Sequence, residues 1–197
     1  MDFWFFVTDL GDSAVTLPLA AVAALFLGLC GWRRTALSLL FAVGATGAAI
    51  GVLKLLLESC GRPLVGPGLT NPSGHMAMST IVYGGLALMV ARALPLRHRL
   101  WPWLAALAFL VLLALSRVII HAHSPAETAL GTATGALGLA LLAFLLGIEA
   151  LPPLALAWLA VPALSVILAM HGTRWPIENW VKTLVHLLRR QWPACGG

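Results

Sequence analysis

LWPWLAALAFLVLLALSRVIIHAHSPAE, residues 100–127, holds the two features that decide the fold. From Leu100 to Ile120 the run is apolar except for Arg117 near its end, and a run of roughly 20 such residues crosses a bilayer as an α-helix. Trp101 and Trp103 stand where an aromatic belt meets the headgroups. At the other end the run breaks into His-Ala-His-Ser-Pro-Ala-Glu. Ionisable groups at that depth are costly and are functional candidates for that reason.

Outward from this stretch the pattern repeats. Spans are expected at about Ala14–Trp32, Ala36–Leu57, His75–Arg92, Leu100–Ile120, Thr128–Ile148 and Leu151–Met170. Six of them use about 120 residues of a chain of 197, leaving too little for a separate soluble domain. Composition agrees: 60% of the residues are hydrophobic and 10% charged, with a mean hydropathy of +0.95, whereas a soluble domain carries about 25% charged residues. The expected fold is therefore all-α, a polytopic transmembrane helix bundle of about six spans forming one domain over residues 1–197. Residues 1–13 are aromatic and acidic with no basic stretch, unlike a cleavable signal peptide, and read as a short interfacial segment. The sixth span contains Pro152, Pro153 and Pro162, so a kinked or re-entrant form is an alternative. The tail from Arg174 to Trp192 carries three Trp and four basic residues and suits a helix lying on the membrane.

The net charge is +5 with a pI near 9.9, yet no basic run exceeds the pairs Arg33-Arg34 and Arg189-Arg190, so no nucleic-acid partner is expected. Cys30, Cys60 and Cys195 form no C-x-x-C pair and give neither a disulfide framework nor a zinc site. Arg33-Arg34 joins the first two spans, and Arg92, Arg97 and Arg99 surround the joint between the third and fourth. The positive-inside rule puts both joints in the cytoplasm. The polar breaks after spans two and four then share the external face of the plasma membrane. Basic residues in the tail resist this topology if the sixth span crosses fully.

Those two breaks and their borders gather Lys54, Glu58, Arg62, His75, Arg117, His121, His123 and Glu127. Snorkelling explains an isolated Lys54. Lys54, Arg62 and Arg117 together would repel one another unless an anion sat among them, and forked Arg with point-charge Lys suits a phosphate. The stretch SCGRPLVGPGLTNPSGH reads as an irregular loop. At its end Asn71 is expected to cap the third span, with Pro72 at the first helical position. Ser124 to Glu127 has the spacing of a capping box opening the fifth. Two helix starts of this kind can bind an anion. His75 and His123 suit the nucleophile and proton donor of a phosphoryl transfer, and Glu127 lies four residues from His123, within reach of its ring. A metal held by His121, His123 and His75 is the competing reading, but a dication would have to settle among three cations. Gly47-x-x-x-Gly51 and Gly131-x-x-x-Gly135 permit close helix approach, with spans two and five as candidate partners.

Taken in order, Lys54…Arg62-Pro63, Pro72-Ser73-Gly74-His75 and Ser116-Arg117…His123…Glu127 resemble the three-part signature of the type 2 phosphatidic acid phosphatase (PAP2) superfamily, over residues 54–127. Seven residues separate Lys54 from Arg62 where the family has six, and Glu127 stands where the family has Asp. The resemblance implies a metal-independent phosphatase without cofactor. In it His123 attacks phosphorus to form a phosphohistidine, His75 protonates the leaving group, and Glu127 orients His123. Lys54, Arg62, Ser73, Gly74 and Arg117 hold the phosphoryl oxygens. The apolar spans imply a lipid phosphate as substrate: phosphatidate, phosphatidylglycerol phosphate, a polyprenyl phosphate or diphosphate, or a lipid A phosphate. A lipid phosphotransferase and a non-catalytic lipid-phosphate carrier are the alternatives. Membrane lipids are the expected surroundings, and the resemblance leaves the oligomeric state open.

Overall fold

The structure is a computed structural model that describes residues 2–65, 69, 71–147 and 151–191; side chains at 2, 59–65, 155, 178, 182, 185 and 188–191 fall outside the description. The helices are α1 (Asp2–Asp9), α2 (Ser13–Leu29), α3 (Arg33–Val65), α4 (Gly74–Ala93), α5 (Leu100–Ile119), α6 (Pro125–Leu146), α7 (Pro153–Met170) and α8 (Ile177–Gln191), with a short 3-10 turn at Leu96–His98. Among the described residues there is no strand, as expected of an all-α bundle. Five stretches are long and apolar enough to cross a membrane: Phe3–Leu29, Arg33–Glu58, Gly74–Ala93, Leu96–Ile119 and Pro125–Leu146. The apolar part of α7, Leu156–Met170, is shorter.

The hydrogen bonds between helices mark two ends of the bundle. One gathers Asp12, Ser73, Arg117 and Ser124; Ser73 N–H donates to the Glu127 carbonyl at 3.0 Å, and His123 N–H to the Arg117 carbonyl at 3.3 Å. At the other end Arg92 Nη2 donates to the Ala143 carbonyl at 3.1 Å, on the side of the Arg33-Arg34 and Arg97–Arg99 turns. The last turn of α7 lies at the end that holds Asp12. Beyond its last turn His171 Nε2 lies 3.1 Å from the Phe6 carbonyl oxygen, and Arg174 reaches Asp9 Oδ1 at 3.0 Å. The tail therefore starts at the end that holds Asp12. Its helix α8 packs against α3, so it covers protein.

Lipid tails are as apolar as leucine, so spans associate through close packing rather than a hydrophobic drive. Small side chains make this possible. Ala20, Ala23 and Ala24 of α2 are buried with Leu19 and Leu27, in one core with Leu39, Ile81 and Leu142. A Cβ at Gly131 would overlap the Ser73 carbonyl oxygen, and one at Gly138 would overlap Thr46 Oγ1. The Gly131-x-x-x-Gly135 pair thus seats α6 on α4, and Gly138 seats it on α3. Gly47 and Gly51 do not do so: a Cβ at Gly51 would meet nothing within 4 Å, and both glycines line a cavity instead. On the outside, Leu104, Leu107, Val111 and Leu115 expose one face of α5 at helical spacing, the surface a bilayer would cover.

Two boundaries differ from expectation. Helix α3 continues through Gly61 and Pro63 to Val65, where a loop from Ser59 is expected; residues 66–68 and 70 of that loop lie outside the described residues. The other difference is at α4, whose cap is Ser73 and not Asn71. Ser73 is extended at φ −71° and ψ 107°, and its hydroxyl accepts from the Met76 N–H. The Asn71 N–H is drawn away to Glu127, donating to Oε1 at 2.7 Å.

Candidate active site

The turn between α5 and α6 places three of the expected residues by backbone chemistry alone. His121 N–H donates to the Val118 carbonyl and Ala122 N–H to the Arg117 carbonyl, both at 3.0 Å. This paired pattern closes a helix around one left-handed residue. That residue is His121, at φ +56°, a conformation in which His is enriched among non-glycines. The exposed His121 is thereby the pivot of the turn. The chain folds back on the last turn of α5 and brings His123 beside Arg117.

Ser124 then opens α6 with a complete capping box, its hydroxyl accepting from the Glu127 N–H at 3.2 Å and Glu127 Oε2 accepting from the Ser124 N–H at 3.1 Å. The same Oε2 lies 3.5 Å from His123 Nδ1. Glu127 Oε1 takes the Asn71 N–H. One buried carboxylate thus caps α6, faces the His123 ring and holds the approach to α4. With Nδ1 turned to the carboxylate, Nε2 is the ring nitrogen left to meet a substrate.

From the opposite wall come Lys54, Gly74 and His75. The buried Lys54 lies against the start of α4, its Nζ 4.0 Å from where a Gly74 Cβ would stand. A cavity of about 180 Å³ has Lys54, Gly74, His75 and Asp12 on its polar side. Its remaining wall is apolar and includes Ile50 and Met78, with Trp175, Ile177 and Val181 from the tail. Arg117 is buried, and its Nη1 donates to Thr8 Oγ1 at 2.9 Å. Six of the expected residues, Lys54, Ser73, Gly74, His75, Arg117 and Glu127, therefore converge with His123 at one end of the bundle. Arg62 lies in the helical backbone of α3, and its side chain is outside the described residues. Among the described residues no three of His, Cys, Asp and Glu are grouped to hold a metal.

A family model described as the PAP2 superfamily matches residues 35–149, more than half of the chain. The chain belongs to the PAP2 superfamily. Phosphatase chemistry is general in this family, and the membership supports a phosphatase-type activity here. The match runs from the start of α3 past the end of α6 and contains both histidines, whereas α1, α2, α7 and α8 lie outside it. A protein of Klebsiella pneumoniae described as an "Uncharacterized 22.5 kDa protein in cps region" is 32% identical over 143 residues, which make up 70% of this chain. The match spans 66% of that relative, just under two thirds of its length. No solved structure matches the chain significantly.

Two residues of this PAP2 protein escaped the sequence reading. Asp12 Oδ2 lies 3.2 Å from His75 Nε2, and Thr8 holds Arg117. Both come from the segment read as merely interfacial. Phe3, Phe5 and Phe6 are indeed exposed there, but Val7, Thr8 and Asp9 are buried. The signal was present: Thr-Asp-Leu-Gly-Asp is a polar interruption between two apolar helices, and such groups at membrane depth call for partners.

Proposed function

We propose that the protein is a membrane lipid phosphate phosphatase that works through a phosphohistidine on His123. The observation that carries this reading is the pairing of His123 Nδ1 with Glu127 at 3.5 Å, on a turn whose backbone binds it to the buried Arg117. It presents one ring nitrogen as a nucleophile, with the buried Arg117 at the same end of the bundle.

In the first half of the reaction the His123 Nε2 lone pair forms a bond to phosphorus, and the bond from phosphorus to the leaving oxygen breaks. His75 gives that oxygen its proton. In the second half neutral His75 takes a proton from water as the water oxygen attacks phosphorus and the phosphorus–nitrogen bond breaks. Lys54, Arg117 and the Gly74 N–H at the start of α4 carry the charge on the phosphoryl oxygens, with Ser73 in its capping role. Arg62 joins them on the strength of the family signature. Side-chain cations fill the place a metal would otherwise take, so the reaction needs no added ion. The substrate is a phosphomonoester or diphosphate of a lipid, because the cavity beside the cations has an apolar wall.

Orientation follows from the charge at the opposite end. Arg33, Arg34, Arg97 and Arg99 favour the cytoplasm, which directs the site to the external face of the plasma membrane. Arg174, at the site end, is offset by its ion pair with Asp9. The test is phosphate release by purified protein across a panel of lipid phosphates, with EDTA in excess. Release is expected, and vanadate should inhibit by adopting the five-coordinate geometry of the transition state. Activity lost to chelator and restored by one divalent ion would overturn the mechanism. Transfer of label to a second lipid with no free phosphate would make the protein a phosphotransferase.

A further inference from the structure

We propose that Asp12 is the positioning carboxylate of His75, so that the N-terminal segment, which lies outside the matched family region, completes the acid–base half of the site. This rests on the phosphatase reading above. Asp12 is buried, and its two oxygens have separate tasks. Oδ1 accepts the Ala14 N–H at 2.8 Å and caps α2, which fixes the plane of the carboxylate. Oδ2 is thereby held 3.2 Å from His75 Nε2. The imidazole donates Nε2–H to it, leaving Nδ1 as the nitrogen that exchanges a proton with substrate and water.

The charges around this ring show why a carboxylate is needed. From α3, Lys54 shares the cavity and disfavours a second cation; α5 adds Arg117, and α6 brings His123 and Glu127 at its start. Among the described residues α7 adds no charge, and the tail presents Trp175, Ile177 and Val181, with Arg174 engaged by Asp9. A neighbouring anion favours the imidazolium, the form that can protonate a leaving oxygen, and offsets the nearby ammonium. The proton moves from His75 Nδ1 to the leaving oxygen and is replaced on Nδ1 from water in the second half-reaction. Throughout, Nε2–H stays on Asp12, which neither gains nor loses a proton.

Asp12→Asn separates the capping task from the charge, since the amide oxygen can still accept from Ala14. Two readouts decide the proposal in full-length protein in detergent. One is the His75 imidazole titration followed by NMR on histidine-labelled protein, assigned with His75→Gln. Asp12→Asn should lower that pKa by about one unit or more. The other is phosphate release from phosphatidate compared with p-nitrophenyl phosphate, whose leaving group needs no proton. The variant should lose at least about tenfold more on the alkyl ester, with the alkaline limb of its pH profile moved to lower pH. An unchanged His75 titration, or equal losses on both substrates with an unmoved limb, would overturn the role of Asp12. Should the amide variant not fold, Asp12→Ser keeps a capping hydroxyl and is read in the same two ways. Wild-type protein inactive on every phosphate would defeat the phosphatase reading alone, because the titration would still decide whether Asp12 governs His75.

Discussion

At one end of the bundle two histidines each face a carboxylate, and the two pairs are built by different means. His123 and Glu127 are four residues apart in one turn and helix start, and the capping box that holds Glu127 lies wholly within that segment. His75 and Asp12 come from α4 and from the head of α2, and they meet only because the bundle is assembled. Glu127 adds one long-range task to its local ones, the bond to Asn71 N–H. Asp12 reverses the proportion, with a local cap on Ala14 and long-range contacts to His75 and to the Trp175 backbone N–H. The first pair should survive a loosening of the bundle; the second should report it.

Removing the first pair's nucleophile is the most severe break. His123→Ala should reduce phosphate release by at least about 10⁴-fold while leaving the purified protein monodisperse and helical by circular dichroism. Retained turnover would move the nucleophile elsewhere. Glu127→Gln should follow, with a loss on the order of 10²-fold or more, because the amide can still cap α6 but no longer stabilises a cationic His123. Thermal stability should change little in that variant. A fall in stability as large as the fall in rate would make Glu127 a structural residue.

Gly131→Ala sharpens the comparison from the packing side. Its methyl would force α6 away from Ser73, at a cost of about 1–3 kcal/mol, measurable as a lower denaturation midpoint in detergent. The His123–Glu127 pair rides on α6 as a unit, so the NMR titration of His123 should hold while activity falls with the displaced α4 start. The smallest effect is expected at the pivot of the turn. His121→Gly relieves a left-handed non-glycine residue and should leave activity within about twofold and stability equal or up to about 1 kcal/mol higher. Loss of activity there would revive a metal-ligand role for His121.

The same contrast explains which parts of the molecule could be read from sequence. Helix identities came from long runs of apolar residues, and five of them reappear as candidate spans; four keep their ends to within a few residues, whereas the first begins at Phe3 rather than Ala14 and takes in the segment expected to be interfacial. Glu127 and His123 were legible because their relation is local, written in the spacing Ser-x-x-Glu and His-x-x-x-Glu. Asp12 and Thr8 were not, since no spacing rule connects residues on helices that pack only in three dimensions. The cap of α4 was misassigned to Asn71 for a related reason. Asn71 is as good a local cap as Ser73, and the contest is decided by Glu127, far away in the chain. Gly47 and Gly51 carried the motif of helix packing, yet the space they leave is a cavity wall; a small residue states that room exists, not what fills it.

The ion pair between Asp9 and Arg174 bears on how such a chain is made. Its two members are 165 residues apart, so a ribosome delivers one to the membrane long before the other. Until α7 has been threaded, the head of the protein holds a buried acidic residue without its counter-ion, and the wall formed by Trp175, Ile177 and Val181 does not exist. The segment that follows α7 is therefore the one that closes the cavity beside Lys54 and His75. A nascent protein stalled before α7 would carry both histidine–carboxylate pairs and still lack the apolar wall that encloses the cavity beside them.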